Sequence, residues 1–409
     1  MKRLLALAAC LACATAAHAE PTFSFSGYGT LGVVHSDNDQ ADYLADVFKP
    51  NGPGATRSWS PDVDSRLGAQ VSATFTPSLS AVIQVLAQQR YDNSYTPVVE
   101  WANVKWAITP DASVRLGRMV LPVFMVTDSR RVGYSNPWVR PPVEVYSLVP
   151  VTSHDGIDGS FRFAAGSVVH TFQANAGRAD PKFPATGVVG AGKAEARDLV
   201  ALAYTLEAGP ATFRANYGEA KLTVEAFDPL FAAFRQFGPQ GEAIAAAFEL
   251  DKRRVTFVGF GASYDPGAWF ATAEWARFDT DSILGERTAW YVSGGHRFGP
   301  FTPYATYARL KSGKGPSVAG LDLTGLPPQL AAIAGQLNAL LGQQLAVVAA
   351  QQTTSLGVRW DFMRNAALKV QYDWVKPASG SIGTFGNIQP GFQPGTRVGL
   401  FSAAVDFVF

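Results

Sequence analysis

Apolar and polar residues alternate with a period of two along most of this 409-residue chain. The final stretch, 398–409, puts Phe401, Ala403, Val405, Phe407 and Phe409 on one parity and Ser402, Ala404 and Asp406 on the other. That is a strand with one apolar face. A chain ending inside a strand on an aromatic residue needs a partner for it, because an open edge invites aggregation, and closing a barrel removes the edge.

The same unit recurs from the start. Phe23, Phe25, Leu31 and Val33 alternate with Ser24, Ser26, Tyr28 and Thr30, and Leu67, Ala69, Val71, Ala73 and Phe75 with Gly68, Gln70, Ser72 and Thr74. The pattern predicts strands near 23–35, 66–75, 79–90, 98–109, 113–118, 157–164, 167–177 and 196–207, then 211–219, 254–265, 268–278, 287–298, 301–310, 353–361, 366–375 and 398–409. They number sixteen, and the first three have about the ten-residue length of a transmembrane strand.

Connections alternate in length. Tight turns such as Thr76-Pro77-Ser78, Thr109-Pro110-Asp111, Asp265-Pro266-Gly267 and Phe298-Gly299-Pro300 follow the even-numbered strands. Long segments at 36–64, 119–156, 178–195, 220–253, 311–352 and 376–397 follow most odd-numbered ones. The predicted fold is therefore an all-β, 16-stranded antiparallel transmembrane barrel with short periplasmic turns and long extracellular loops. A soluble sandwich has no reason to segregate loop length in this way.

Lys2 and Arg3, the apolar run 4–15 and the small-x-small site Ala17-His18-Ala19 read as a signal peptide, 1–19, removed before a barrel domain at 20–409. A lipobox at Leu7-Ala8-Ala9-Cys10 would leave too short an apolar run before the cysteine. Cys10 and Cys13 both leave with the signal, which excludes disulfides and thiol chemistry. Without Lys2 and Arg3, 32 basic residues face 33 acidic ones, so nothing points to nucleic acid. After the signal no apolar run is long enough for a spanning helix, and a closed barrel is the other way to satisfy backbone polar groups in lipid.

The inward parity carries Gln70, Gln84, Asn103, Asp158, Asn175, Asn216, Glu274, Lys369, Gln371, Asp373 and Asp406, a wall too polar for a dry core. Sixteen strands enclose an aqueous channel. Arg66, Arg90, Lys105 and Arg115 fall on four consecutive strands and are expected to form one cationic patch, against the plainer reading of a solvated charged face. Parity leaves Arg118 pointing outward unless a bulge turns it.

The segment 119–156 is too long for an ordinary connection and too rich in Pro and aromatics for a floppy one. It holds Asp128, Arg130, Arg131, Tyr134, Trp138, Arg140, Glu144 and Asp155, and is expected to fold into the lumen and narrow it. Two other loops have helical spacing: 224–249, broken at Gly238-Pro239, and the stretch from Pro327-Pro328 through Leu330, Ile333, Leu337, Leu341 and Leu345. The stripe of the second reads as a cap packed over the barrel mouth, against the alternative of a membrane-surface or partner helix.

Several motifs drop out. Gly27-Tyr28-Gly29-Thr30-Leu31-Gly32 has dinucleotide-binding spacing but opens no helix. The mature histidines, His35, His154, His170 and His296, lack metal-ligand spacing, and no nucleophile elbow accompanies His154-Asp155. No cofactor or catalytic residue is expected.

Ser26-Gly27-Tyr28-Gly29-Thr30-Leu31-Gly32, Ala102-Asn103-Val104-Lys105, Arg115-Leu116-Gly117-Arg118, Trp138-Val139-Arg140-Pro141-Pro142, Asp155-Gly156-Ile157-Asp158-Gly159 and the terminal Phe409 together resemble the Gram-negative general porins. The third long connection lacks their common Pro-Glu-Phe-Gly motif. The resemblance implies a trimer of 16-stranded barrels in the bacterial outer membrane, with loop 3 acids facing an arginine cluster across an eyelet. It implies passive diffusion of small hydrophilic solutes and ions, and Phe409 as the signal read by the barrel assembly machinery. A substrate-selective channel for organic acids or sugars is the alternative within transport. A barrel enzyme is the alternative outside it.

Overall fold

A computed structural model describes residues 20–185, 190–313, 316, 318–346 and 349–409; the predicted signal peptide lies outside them. Sixteen long strands form one closed antiparallel sheet, the number the alternation predicts. They are β1 (Thr22–Ser36), β2 (Arg66–Thr76), β3 (Leu79–Gln88), β4 (Val98–Ala107), β5 (Ala112–Val120), β6 (Ser153–Ala165), β7 (Val168–Ala179) and β8 (Gly192–Ala208). The second half is β9 (Ala211–Val224), β10 (Arg253–Tyr264), β11 (Trp269–Thr280), β12 (Arg287–His296), β13 (Phe301–Ser312), β14 (Gln351–Met363), β15 (Ala366–Pro377) and β16 (Val398–Val408). Each pairs with its sequence neighbours, and β1 pairs with β16 from Tyr28↔Val408 to Ser36↔Leu400, which closes the ring.

The seam has its own packing. Gly27 N donates to the Phe409 carbonyl at 2.8 Å and Phe409 N to the Gly27 carbonyl at 3.0 Å. A Cβ on Gly27 would stand 2.2 Å from the Phe409 ring, and one on Gly29 2.2 Å from the Phe407 ring. The two glycines are therefore seats for the last two phenylalanines, which explains a Gly-rich first strand better than curvature alone.

The outward parity stays apolar and exposed, as at Leu67, Ile83, Leu116, Ile157, Phe260, Val292 and Leu356. Exposure of this kind on every strand is what lipid tolerates and water does not. The inward parity is buried but is not uniformly polar, which corrects the expectation of a wholly wet lumen. Leu199, Ala201, Ala220, Phe257, Ala276, Ala289, Tyr291, Tyr304, Ala308 and Leu310, on β8–β13, form a dry surface with Leu121, Val123, Phe124, Trp138, Val145, Tyr146 and Leu148 of the third connection. Six of the sixteen strands thus form the floor of a core, and the rest of the wall is free to face water.

The cap over the mouth is built as its helical spacing predicts. Helices α1 (Val143–Tyr146, inside the barrel), α2 (Asp228–Arg235), α3 (Gly238–Phe248) and α4 (Pro328–Ala346) follow one another along the chain. Phe231, Phe234, Ile244 and Phe248 of α2 and α3 bury against Ala334, Leu337 and Leu341 of α4, with Ile283 from the β11–β12 loop. Burial of these apolar faces against one another, at roughly 25 cal/mol per Å², holds loops that have no strand to pair with.

Candidate functional site

Loop 3 leaves the wall after Val120 and rejoins it at Ser153. Its first turn docks Phe124 against Tyr146 and Phe257, with ring centroids 4.5 and 5.4 Å away. Glu274 on β11 fixes this turn, accepting from Met125 N at 2.8 Å, Tyr146 Oη at 2.5 Å and Tyr291 Oη at 2.8 Å. The chain then crosses the lumen.

At Gly133 it passes so close to the opposite wall that a Cβ would lie 2.0 Å from Asp406 Oδ1 and 2.7 Å from Thr30 Oγ1. Lys369 Nζ, itself 2.8 Å from Asp406 Oδ2, donates to the carbonyls of Gly133 at 2.7 Å and Trp138 at 2.9 Å. Arg359 donates to the Tyr134 and Asn136 carbonyls at 2.6 and 3.1 Å and lies 4.7 Å over the Tyr134 ring. Trp138 Nε1 reaches Ser293 Oγ at 2.7 Å.

Arg140 is the centre of the return path. Its guanidinium forks onto Asp64, with Nε to Oδ1 at 3.0 Å and Nη2 to Oδ2 at 2.6 Å, and pairs with Asp373 through Nη1 at 3.1 Å. One cation held by two buried carboxylates satisfies all three groups where each alone would be costly to bury. Glu144, in α1, accepts from Gln351 Nε2 at 2.7 Å and from Thr353 Oγ1. Burial pushes its carboxyl above the ordinary range, and those two hydrogen bonds offset part of the rise.

Loop 3 leaves a small gap against the β1–β5 wall, and a second space lies between Trp138–Glu144 and the wall of β13–β15. Asp128, Arg130, Arg131 and Val132 line one side of the gap, and Tyr28, Gln84, Glu100 and Trp101 the other. Arg130 is braced by the carbonyls of Val149 at 3.2 Å and Tyr146 at 2.7 Å and lies over the Phe124 and Tyr146 rings. It has no carboxylate partner among the described residues. Burial, then the neighbouring charge of Arg131, lowers it to about 10, so it stays cationic at neutral pH. Arg131 donates to Gln88 Oε1 at 3.3 Å and is 3.5 Å from Asp46 of the first loop.

The expected residues therefore separate. Asp128, Arg130 and Arg131 line the gap, whereas Tyr134, Trp138, Arg140 and Glu144 anchor loop 3 to the wall. Asp155 lies on β6, two residues from the outward Ile157, and grips Arg118 through 2.7 and 2.8 Å hydrogen bonds. Parity alone thus orients Arg118 outward.

The four wall cations are not one patch. Arg66 stands in register with Gln88, and Lys105 with Ser80, eight residues further along β3, so roughly 27 Å separates the two levels. Arg115 lies opposite Lys105 and pairs with Asp158 at 2.7 Å, and Arg90 lies beyond the end of β3 in the following loop. Period-two parity assigns a face and says nothing of height, which is why the sequence merged them. Parity placed Glu274 and Asp373 on the inward face without marking them as anchors, and gave no sign of Asp64 and Glu100; the partners of all four are distant in the chain.

The fold as a whole has counterparts among known proteins. The family model described as Gram-negative porin matches residues 6–384. No curated protein sequence matches the chain. Among solved structures, the fold resembles an anion-selective porin from Comamonas acidovorans (TM-score 0.54, 12% identity, 95% of this chain and 100% of that one). It resembles the outer membrane channel DcaP of Acinetobacter baumannii (TM-score 0.54, 12% identity, 97% and 99%). A third likeness is OmpT of Vibrio cholerae in its trimer form (TM-score 0.52, 13% identity, 96% and 100%). With the family model covering nearly the whole barrel, the chain belongs to the Gram-negative porins, and is an outer-membrane channel for passive diffusion.

Proposed function

We propose that small hydrophilic solutes cross through the gap between loop 3 and the β1–β5 wall, and that this filter favours anions. The observation that carries the reading is the arginine pair Arg130–Arg131 on the loop side of the gap, with Arg130 lacking a carboxylate partner among the described residues. Asp128 on the loop side and Glu100 on the wall form no ion pair with Arg130, which two carbonyls hold in place, while Arg131 is held by Gln88 and Asp46. Arg66, in register with the Gln88 that Arg131 contacts, adds to the same field. The usual porin arrangement, acids on loop 3 facing arginines on the wall, is here partly reversed. Preorganised charges in a narrow, partly desolvated passage act more strongly than the same charges in open water.

Passage needs no bond making, so no catalytic role is assigned to any residue. The chain acts after removal of 1–19, and Phe409 serves as the recognition end for the assembly machinery. Trimerisation through the apolar outer face of β1–β5 is supported by the trimer form of the Vibrio cholerae structure and by the exposed Leu67, Val71, Ile83, Val104 and Leu116 on that face.

The test is the reversal potential of the refolded protein in planar bilayers under a salt gradient. The wild type should show anion preference, and Arg130→Ala with Arg131→Ala should move it toward cations. A reversal potential unchanged by both substitutions would sink the proposed filter while leaving the channel itself intact.

A further inference from the structure

Some of the contacts that hold loop 3 come from the body of the sheet, where Glu274 of β11, Ser293 of β12 and Arg359 of β14 hold Met125, Trp138 and Tyr134. Others lie at the seam where β1 meets β16. Thr30 stands in register with Asp406 across that seam, and its Oγ1 donates to Asp406 Oδ1 at 2.5 Å. Both side chains are buried, and the pair is the floor under Gly133, where a Cβ would meet the two oxygens at once.

Arg140 spans the same joint. Asp64, which takes its fork, is fastened to β1: a Cβ on Gly32 would lie 2.8 Å from the Asp64 Cβ, and Ser65 Oγ accepts from Gly32 N at 3.1 Å and donates to the Gly32 carbonyl at 3.2 Å. The other partners of Arg140 lie across the seam. Ser402 Oγ of β16 accepts from Nη2 at 2.7 Å, and Asp373 stands in register with Leu400 of β16. With the two strands apart, Arg140 could reach the acid of one side only, and Gly133 would face an open strand edge. A two-residue slip of the seam would set Ala404 or Val408 opposite Thr30 and remove the pair beneath Gly133.

We infer that loop 3 senses closure of the barrel: its Gly133–Arg140 stretch docks only after β1 and β16 have paired in the native register, so the constriction forms after the ring. The seat is divided between two strands whose direct link is the seam, with Thr30 and Asp406 standing 376 residues apart in the chain. Before pairing, water satisfies Thr30, Lys369 and Asp406 at little cost. Docking then withdraws them together, and a barrel closed in the wrong register keeps an undocked loop. By linkage, what closure contributes to docking, docking contributes to closure, as an increment on a seam that already carries its own backbone ladder.

The test follows refolding of the barrel with two readings on one clock. Val33 and Ala403 are in register on the outward side of the seam, and Cys10 and Cys13 both precede the barrel, so Val33→Cys with Ala403→Cys allows an oxidative cross-link that times closure. Pulse proteolysis within 121–152 times docking. The cross-link should form first and protection should follow it. Gly133→Ala in that background should raise the cutting rate of the closed barrel by roughly tenfold, the factor expected from losing one charge-assisted hydrogen bond, and leave the cross-linking rate unchanged. Thr30→Val, which removes a hydrogen bond that loop 3 does not itself make, should raise cutting as well. Heat-modifiable migration establishes that each variant is folded. Protection that precedes the cross-link would overturn the inference. So would a Gly133→Ala variant that slows the cross-link, since closure would then be waiting for the loop.

Discussion

Arg140 and Asp64 are 76 residues apart in the chain and meet through two parallel hydrogen bonds, both side chains almost wholly buried. The pair ties the third loop to the first, and through Asp373 to the barrel wall. Arg140→Ala would leave Asp373 without its cation and Asp64 with only the distant Arg66 at 4.0 Å, a loss of about 3–5 kcal/mol at that point. The barrel should survive, since its strands do not depend on the loop, but loop 3 should detach locally. Open-channel current noise and the rate of protease cutting within 121–152 should both rise. Arg140→Lys should rescue little, because an ammonium cannot fork onto Asp64 and reach Asp373 together. Wild-type noise in Arg140→Ala would refute the anchoring role.

Lys49 gives the first loop a pH dependence. Its ammonium is buried and donates to the carbonyls of Asp62 and of Val63, the latter at 2.9 Å. Burial, with Arg66 next, lowers it to about 7 from 10.5, against the opposing pull of Asp46 and Asp64. The folded amine is thus the weaker base, and between pH 7 and 10.5 the opened loop binds more protons than the closed one. Closure is therefore least favourable below pH 7 and strengthens as pH rises toward 10.5. Protease cutting within 37–65, normalised at each pH to an unfolded substrate, should fall across that window. Lys49→Met should flatten the profile, and a slope that survives the substitution would assign it elsewhere.

Glu144 carries the opposite sign. Its folded carboxyl is the weaker acid, so its contribution to stability is full below the unfolded value of 4.5 and is lost as pH rises through the elevated folded value. Both of its hydrogen bonds arrive at Oε1, and a glutamine amide can accept them there. Glu144→Gln should raise the thermal midpoint at pH 7 and leave it unchanged near pH 4. A lowered midpoint at neutral pH would show that the charge is used.

The barrel was legible because lipid and water impose a period of two on every strand, and because turns such as Asp265-Pro266-Gly267 carry their own chemistry. The helical cap was legible for the parallel reason that Leu337 and Leu341 keep helical spacing. The lumen was not. Leu199, Phe257, Tyr291 and Leu310 are apolar on a face whose other strands are polar, and only the packing of Phe124 and Tyr146 explains them. The course of loop 3 was hidden for a related reason, since it is fixed by Lys369, Arg359, Asp64 and Glu274, none of which lies in the loop. Asp155 falls in the long connection when the strand is read from 157, whereas β6 begins at Ser153 and places Asp155 against Arg118.

The seating of Phe409 on Gly27 and of Phe407 on Gly29 makes the closing seam a keyed joint. A slip of one residue would turn every side chain of β16 to the wrong face. A slip of two would keep the faces but bring Phe407 over Gly27 or Phe409 over Gly29, leaving one ring without its seat or one glycine bare. Backbone pairing alone would permit several alignments of so regular a strand. The two rings and two hollows select one, so four residues at this joint define the circumference of the whole barrel.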